Sequence, residues 1–392
     1  MPSLQFPVLQ TAHRVSSDSN PLDCESWSAQ CCLFILPQSQ SMQDTLKPVL
    51  EALLQRRDLS DTECRDAIGA IMDGLCDPVD IAAFLTAMAA KGSVAAELVG
   101  AATAMRQRAT SIVSHRRPLL DTCGTGGDQL HTFNISTAAA LVAASCGIAV
   151  AKHGNRGVSS SSGSADVLEA LGVHISLSAR DAGQCLDDVG LAFCFAPLIH
   201  GAMKYAAPVR RRLGFPTIFN FLGPLTNPAG ADFQLLGASS IERAELLANA
   251  LSRLGIQRAF VVCGNNELDE VSLWGTTTVF DVRADSVSRL EWTASDFGLT
   301  SCDVASLRVS SATESAERIL TVLKGASGPA SDMVVANTAA ALVVSGRVNN
   351  LRAGVDAAVA AIKSGNSLSK LEALIQKTRS LANSASRDAP AS

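Results

Sequence analysis

Two periods divide the chain. From Ser41 to about Thr110, apolar residues recur at helical spacing. Leu46, Val49, Leu50, Leu53 and Leu54 form one face. Ser60 and Glu63 make a capping box ahead of Ala67, Ile68, Ile71 and Met72. Asp77-Pro78 supplies an N-cap and a first-turn proline for a helix carrying Ile81, Phe84, Leu85 and Met88. A fourth helix is predicted from Ser93 through Leu98, Ala102 and Met105. The connections are short, as in a compact helical domain. Arg116-Arg117-Pro118 reads as a hinge or linker, and beyond it the pattern changes. Short apolar runs at Leu119–Cys123, Ile148–Ala151, Leu191–Ala196, Gln234–Ala238 and Ala259–Cys263 read as strands. Helical segments separate several of them, such as Ile241 to Leu254. Alternation of this kind predicts an α/β fold with a largely parallel sheet. Segments 315–324, 332–346, 351–364 and 367 to about 382 read as helices, and Asn220 to Pro228 as a turn-rich stretch.

The expected architecture is therefore a small all-helical N-terminal domain, residues 43–115. A larger α/β domain follows, residues 116–382, with a mostly parallel central sheet flanked by helices. Residues 1–42 are rich in Ser, Gln and Pro, show no sustained period, and read as a disordered arm or the product of an upstream start. Residues 383–392 read as a frayed tail.

Composition narrows the function classes. The chain has 392 residues, 47% hydrophobic and 18% charged, enough for more than one core. A net charge of −5 gives no basic surface for nucleic acid, and aromatics at 4% argue against base-stacking platforms. Eleven cysteines without a C-x-x-C pair suggest a reduced, cytoplasmic chain with cysteines as small core residues. The longest apolar candidate, Ala138 to Ala151, is broken by Ser145 and Gly147 and is too short to span a membrane.

The chemistry concentrates in residues 121–172. Gly124-Thr-Gly-Gly-Asp128 follows the first predicted strand, where ligands sit in parallel sheets. Glycines there leave backbone N–H groups uncovered for phosphate. Asn134, Ser136 and Thr137 follow at a predicted helix start, where a plain N-cap is the alternative. Lys152 ends a strand beside Gly154, as a phosphate ligand or a solvated terminus. His153 on its own reads as a hydrogen-bonded structural residue. Ser159 to Ser162 stand where a linker would be unusual, before a helix bearing Val167, Leu168 and Leu171. Arg210 lies in a basic run with Arg211 and Arg212, which a solvated face also explains. Asp269-Glu270 lies beyond the strand Ala259–Cys263; adjacent carboxylates suit Mg²⁺, and an ordinary acidic loop is the alternative.

Taken together, these segments closely resemble the anthranilate phosphoribosyltransferase family, over residues 43 to 382. The resemblance rests on Gly124–Asp128, Thr132-Phe-Asn-Ile-Ser-Thr137, Lys152-His-Gly-Asn-Arg156 and Gly163–Gly172. Further pieces are Ala202–Tyr205, Ala207–Arg210, Thr217–Asn220, Leu222–Pro228 and Leu268–Glu270. It implies transfer of phosphoribosyl from 5-phosphoribosyl 1-diphosphate (PRPP) to the amine of anthranilate. It also implies Mg²⁺, two ions per subunit, a homodimer, and a helical domain joined by part of 200–222. For PRPP it implies Gly124, Gly127, Asp128, Thr132, Asn134, Ile135, Ser136, Thr137, Lys152, His153, Gly154, Asn155, Arg156, Gly157, Val158, Ser159, Ser160 and Ser164. For anthranilate it implies Gly124, Asn155 and Arg210; for the metal, Ser136, Asp269 and Glu270. Four positions depart from the family pattern: Gln129 for Gly, Ser161 for Lys, Gly201 for Pro and Cys263 for His. An aromatic amine is neutral at pH 7, so no residue is assigned as an obligatory general base. Pyrimidine nucleoside phosphorolysis is the competing reading. It too uses a helical domain and a glycine-rich phosphate loop, but has no need of an acidic metal clamp. A non-catalytic relative is disfavoured because Arg210 and the acidic pair are both present.

Overall fold

The computed structural model describes residues 46–157, 162–284 and 286–388. The extension call on residues 1–42 therefore lies outside the described residues, as do Val158, Ser159, Ser160 and Ser161.

The described residues begin with α1 (Lys47–Leu54), α2 (Asp61–Met72), α3 (Pro78–Lys91) and α4 (Ala95–Arg108). Their starts follow the local chemistry. The Ser60 hydroxyl accepts from the Glu63 N–H while the Glu63 carboxylate accepts from the Ser60 N–H, and Asp77 caps α3. Two expectations shift. Leu54 does not join the buried face but ends α1 exposed. The fourth helix starts after Val94 rather than at Ser93, because the Glu97 carboxylate draws in the Val94 N–H at 3.0 Å. Glu97 is completely buried. It also accepts from the Leu59 N–H at 2.9 Å and pairs with Lys91 at 3.0 Å. A charge so enclosed needs its partner and its hydrogen bonds. Helices α2 and α4 cross closely at Gly100, where a Cβ would lie 2.1 Å from the Asp61 carbonyl oxygen.

The α/β part runs β1 (Leu119–Gly124), α5 (Ile135–Ser145), β2 (Ala149–Gly154), α6 (Ser164–Ala170), α7 (Ala179–Val189) and β3 (Leu191–Phe195). Short helices α8 (Ala196–Ile199), α9 (Ala207–Leu213) and α10 (Phe219–Leu222) lead to β4 (Phe233–Gly237), α11 (Ile241–Arg253) and β5 (Arg258–Gly264). The segment read as turn-rich is thus a helical turn at α10, continued by a 3-10 turn at Gly223–Leu225. Helix α6 begins at Ser164 behind Gly163, later than the serine run suggested. β6 (Thr277–Arg283) and β7 (Ser286–Trp292) follow. The chain closes with α12 (Ala294–Phe297), α13 (Ala312–Leu323), α14 (Pro329–Val344), α15 (Leu351–Lys363) and α16 (Asn366–Asp388). The last helix continues to Asp388, so the tail call at 383 is corrected: the helical pattern outlasts its apolar positions.

The sheet order is β3-β2-β1-β4-β5-β6-β7. The first five strands are parallel neighbours, and β6 and β7 add an antiparallel edge. Both faces of the parallel part are covered. Leu235, Phe260 and Val262 face one core with α5 and α14. Leu236, Ala259, Val261 and Cys263 face another, shared with α11 and the four N-terminal helices. Double burial is why these strands read as unbroken apolar runs. The β6–β7 hairpin was not anticipated, because β7 is mostly exposed and polar.

Candidate active site

The sheet changes direction between β1 and β4. From β1 the order runs outward to β2 and β3 on one side, and to β4 and β5 on the other. Helix α5 lies on one face and α11 on the opposite face. A crevice therefore opens at the carboxyl ends of β1 and β4, as such sheets require. Gly124 and Gly237 are register partners at that point. The segment after β5 crosses both. A Cβ on Gly237 would lie 1.6 Å from the Asp269 carbonyl oxygen, and one on Gly124 would lie 2.5 Å from the Asp269 carboxylate. Only glycines let the acidic segment settle onto the two strand ends.

Backbone donors then hold that segment from the other side. The Gly126 N–H donates to Asp269 at 2.7 Å, and the Ser136 N–H, in the first turn of α5, donates to Glu270 at 2.9 Å. Gly126 and Gly127 adopt left-handed backbone, and so do Gln129 and His131 at φ 57. Left-handed residues of this kind belong to the backbone curls that bind anions. Burial pushes the Asp269 carboxyl up to about 7, with Asp128 adding repulsion; it pushes Glu270 up to about 8, with Asp269 adding repulsion. Two half-buried carboxyls thus face each other with too little positive charge nearby. Asp128 itself accepts from the Leu130 N–H at 3.1 Å.

Lys152 is not a solvated strand end: it is 3% exposed. Its ammonium donates to the Thr122 carbonyl at 2.5 Å and lies 3.4 Å from the Ser136 hydroxyl. Burial lowers its pKa, and the surrounding Asp121, Glu270 and Asp269 oppose that. It is the ammonium beneath an acidic group of side chains. Asp121 was not anticipated. It is fully buried on β1 and accepts from the His153 N–H at 3.1 Å, and its second carboxylate oxygen has no partner among the described residues.

The remaining expected residues divide into two sets. Gly124, Gly127, Asp128, Thr132, Asn134, Ile135, Ser136, Thr137 and Lys152 lie on the end of β1, its loop, the start of α5 and β2, with Ile135 and Thr137 buried. Within that set, the Asn134 side chain is committed: its oxygen accepts from the hydroxyls of Ser315 (2.8 Å) and Ser162 (2.9 Å). It ties α13 to the segment before α6. In the second set, Asn155 and Gly157 are exposed beyond β2, and Ser164 lies 3.4 Å from the Asn155 carbonyl. Arg156 pairs with Asp166 at 3.0 Å and with Glu169, which makes it a brace for the segment. His153 turns away from the glycine loop. Its Nδ1 meets the Gly223 carbonyl at 3.0 Å, and its ring stands edge-on to His200 at 5.3 Å. Burial lowers both histidines to about 4, so both are neutral.

Arg210, on α9, lies over the Phe219 ring at 5.2 Å and 3.4 Å from the Asn220 side-chain oxygen. It is half-buried, and among the described residues no carboxylate pairs with it. Burial lowers its pKa, the expected result for a guanidinium without a counterion. Arg243 stacks on Phe221, on the same α10 turn, and lies near Gly127. The α10 turn therefore links the Arg210 wall to the glycine loop.

Comparison with known proteins decides what this arrangement is. A glycosyl transferase family a/b domain matches residues 116–368, and a glycosyl transferase family helical bundle domain matches residues 47–109. Anthranilate phosphoribosyltransferase of Laribacter hongkongensis is 47% identical over 339 residues, covering 86% of this chain and 99% of that one. The chain belongs to the anthranilate phosphoribosyltransferase family.

Solved structures agree. The Saccharomyces cerevisiae anthranilate phosphoribosyltransferase in complex with PRPP and Mg matches at TM-score 0.80 and 31% identity, covering 86% of this chain and 99% of that one. The same yeast enzyme in complex with 4-fluoroanthranilate matches at TM-score 0.78 and 30% identity, covering 86% and 98%. Within the anthranilate phosphoribosyltransferase family pattern, two departures of this chain now have a physical setting. Cys263 is fully buried on β5, and burial pushes its thiol up to about 11, so it is an inert core residue. Gln129 occupies a left-handed position that favours glycine.

Proposed function

We propose that this protein transfers the 5-phosphoribosyl group of PRPP to the amine of anthranilate, with release of diphosphate. The observation that carries this reading is the acidic segment seated on the glycine loop. An inorganic-phosphate site would not place two carboxyls with raised pKa values against its own anion-binding amides. A diphosphate arriving with a cation accounts for both. Asp269 and Glu270 would hold Mg²⁺, with Ser136 beside them. Among the described residues no group of three acidic, His or Cys side chains could hold an ion, which suits a cation that keeps waters and shares substrate phosphates. When bound, Mg²⁺ neutralises charge that builds on the departing diphosphate.

The protein's own groups do the rest. The N–H groups of Gly127 and Asp128 donate to phosphate oxygens, while those of Thr125 and Gly126 are taken by Gly237 and Asp269, and Lys152 keeps positive charge beneath. Arg210 receives the anthranilate carboxylate in a forked contact, which aims the amine at the ribose C1. The amine needs no strong base, and no side chain is assigned that role. Two ions per subunit, a homodimer and a cytoplasmic setting belong to the same proposal. Cys64, Cys76, Cys123, Cys146, Cys185, Cys194, Cys263 and Cys302 are free thiols, which suits a reducing compartment. The same proposal divides the chain into a helical part, 43–115 joined by part of 200–222, and an α/β part, 116–382; the packing of α9 on α3 and of α10 on α4 supports the first grouping.

Anthranilate fluorescence should decay on adding PRPP and Mg²⁺ to the purified protein. Its persistence, with thymidine cleaved by phosphate instead, would establish pyrimidine nucleoside phosphorolysis. Light scattering at twice the monomer mass checks the dimer.

A further inference from the structure

Helix α14 is apolar on nearly every side. Met333, Val334, Val335, Ala336 and Ala339 to Leu342 are all buried. Asn337 stands in their midst with no exposed surface. A primary amide left unpaired in such a place costs about 2–7 kcal/mol. Asn337 avoids that cost with three hydrogen bonds. Its oxygen accepts from the Val271 N–H at 2.9 Å, and its nitrogen donates to the carbonyls of Val271 at 3.0 Å and Met333 at 2.9 Å. Both polar groups of Val271 are thus taken by one side chain, as a neighbouring strand would take them.

Val271 directly follows Asp269-Glu270. The acidic segment is therefore clamped at two points. The Asp269 carbonyl lies over the glycine strand end at Gly237, and Asn337 holds both backbone groups of Val271 from the helix side. The backbone that carries the two carboxyls is thus fixed on either side of them. We propose that Asn337 is a positioning residue for the cation site at Asp269 and Glu270, although it touches neither substrate nor ion. The inference rests on the reading of that acidic pair given above. Its physical basis is that Mg²⁺ demands near-octahedral geometry, so a carboxylate displaced by a fraction of an ångström is a poorer ligand. A helix that needed only packing would carry Leu or Ala at this position.

The test measures Mn²⁺ binding to the full chain in the presence of PRPP, by the loss of the free-Mn²⁺ electron paramagnetic resonance signal beyond that which the same Mn²⁺ and PRPP give without protein. Asn337→Ala removes the clamp. Asn337→Asp keeps the acceptor and the shape but loses the donor, and carries the comparison if the alanine variant does not fold. Met333→Ala is the control for simple destabilisation of the same helix, with thermal midpoints recorded for all. Weakening of Mn²⁺ affinity by about tenfold to a hundredfold in the Asn337 variants, with Met333→Ala within twofold of wild type, supports the inference. Wild-type affinity in the Asn337 variants overturns it. So does equal weakening in Met333→Ala, which would make the effect one of general stability. Asp269→Asn with Glu270→Gln separates the two levels of the argument. If that double variant binds Mn²⁺ as wild type does, the metal assignment itself falls and the inference falls with it.

Discussion

The acidic segment and the Arg210 wall both carry charge without a sufficient counterion, yet they are held very differently. Asp269 and Glu270 are seated by two glycines, two backbone donors and a buried asparagine. Arg210 has only an aromatic face and one long contact with Asn220. The contrast follows from what each is proposed to bind. A small divalent ion tolerates little error in ligand position, while a planar carboxylate on a flexible guanidinium can be met part-way. One side of the cleft is prebuilt; the other is adaptable.

Removing the prebuilt charge should have the largest effect. In Asp269→Asn with Glu270→Gln, turnover should fall about a hundredfold to a thousandfold, the size of a lost metal contribution of several kcal/mol. Steady-state rates across a Mg²⁺ titration check it, and a wild-type rate would remove the acidic pair from the mechanism. Removing the adaptable charge should act on one substrate alone. Arg210→Ala should raise the anthranilate KM about tenfold to a hundredfold, the worth of a charged hydrogen-bonded contact, with the PRPP KM changing far less. Arg210→Lys keeps the charge but not the fork, and should recover only part.

Acid should distinguish the two sides as well. His153 supports the turn after α10 through the Gly223 carbonyl, with the His200 ring edge-on to it, and burial holds both near 4, below their ordinary 6.5. Between those values the unfolded chain binds protons that the folded one does not, so stability is present above pH 6.5 and is lost as pH falls toward 4. The loss approaches about 1.4 kcal/mol per pH unit for each histidine. Asp269 and Glu270, raised to about 7 and 8, bind protons over the same range that the unfolded chain does not and contribute the opposite slope, so one histidine's share is read as the difference between wild-type and His200→Asn denaturant midpoints across that range. The smallest effect is on the glycine loop. Gln129→Gly relieves a left-handed backbone and should raise stability by about 1 kcal/mol, read from the same midpoints.

Much of this was legible in the chain itself, for physical reasons that also mark the limit. All five parallel strands appear as apolar runs because both of their faces are covered. The β6–β7 hairpin does not, since β7 alternates Ser, Arg and Glu against solvent and resembles a loop. Site residues at strand ends were found because glycines and hydroxyls cluster there in order. Asp121 and Asn337 act through partners far along the chain, His153 and Val271, and local pattern carries no trace of those partners. Asn337 did leave one clue: a lone amide in a mostly apolar helix. Lys152 was recognised, but whether it was solvated or enclosed depended on Thr122, Ser136 and the acidic segment arriving from elsewhere.

The hairpin that local pattern missed also guards the sheet. Without β6 and β7, the β5 edge, with Phe260, Val261 and Val262, would offer open hydrogen-bonding groups and apolar side chains to any other extended chain. β7 instead presents Ser288, Arg289 and Glu291 at that boundary, all exposed. A version trimmed of residues 277–292 would be expected to self-associate in solution, because the terminating strand that blocks growth of the sheet would be gone.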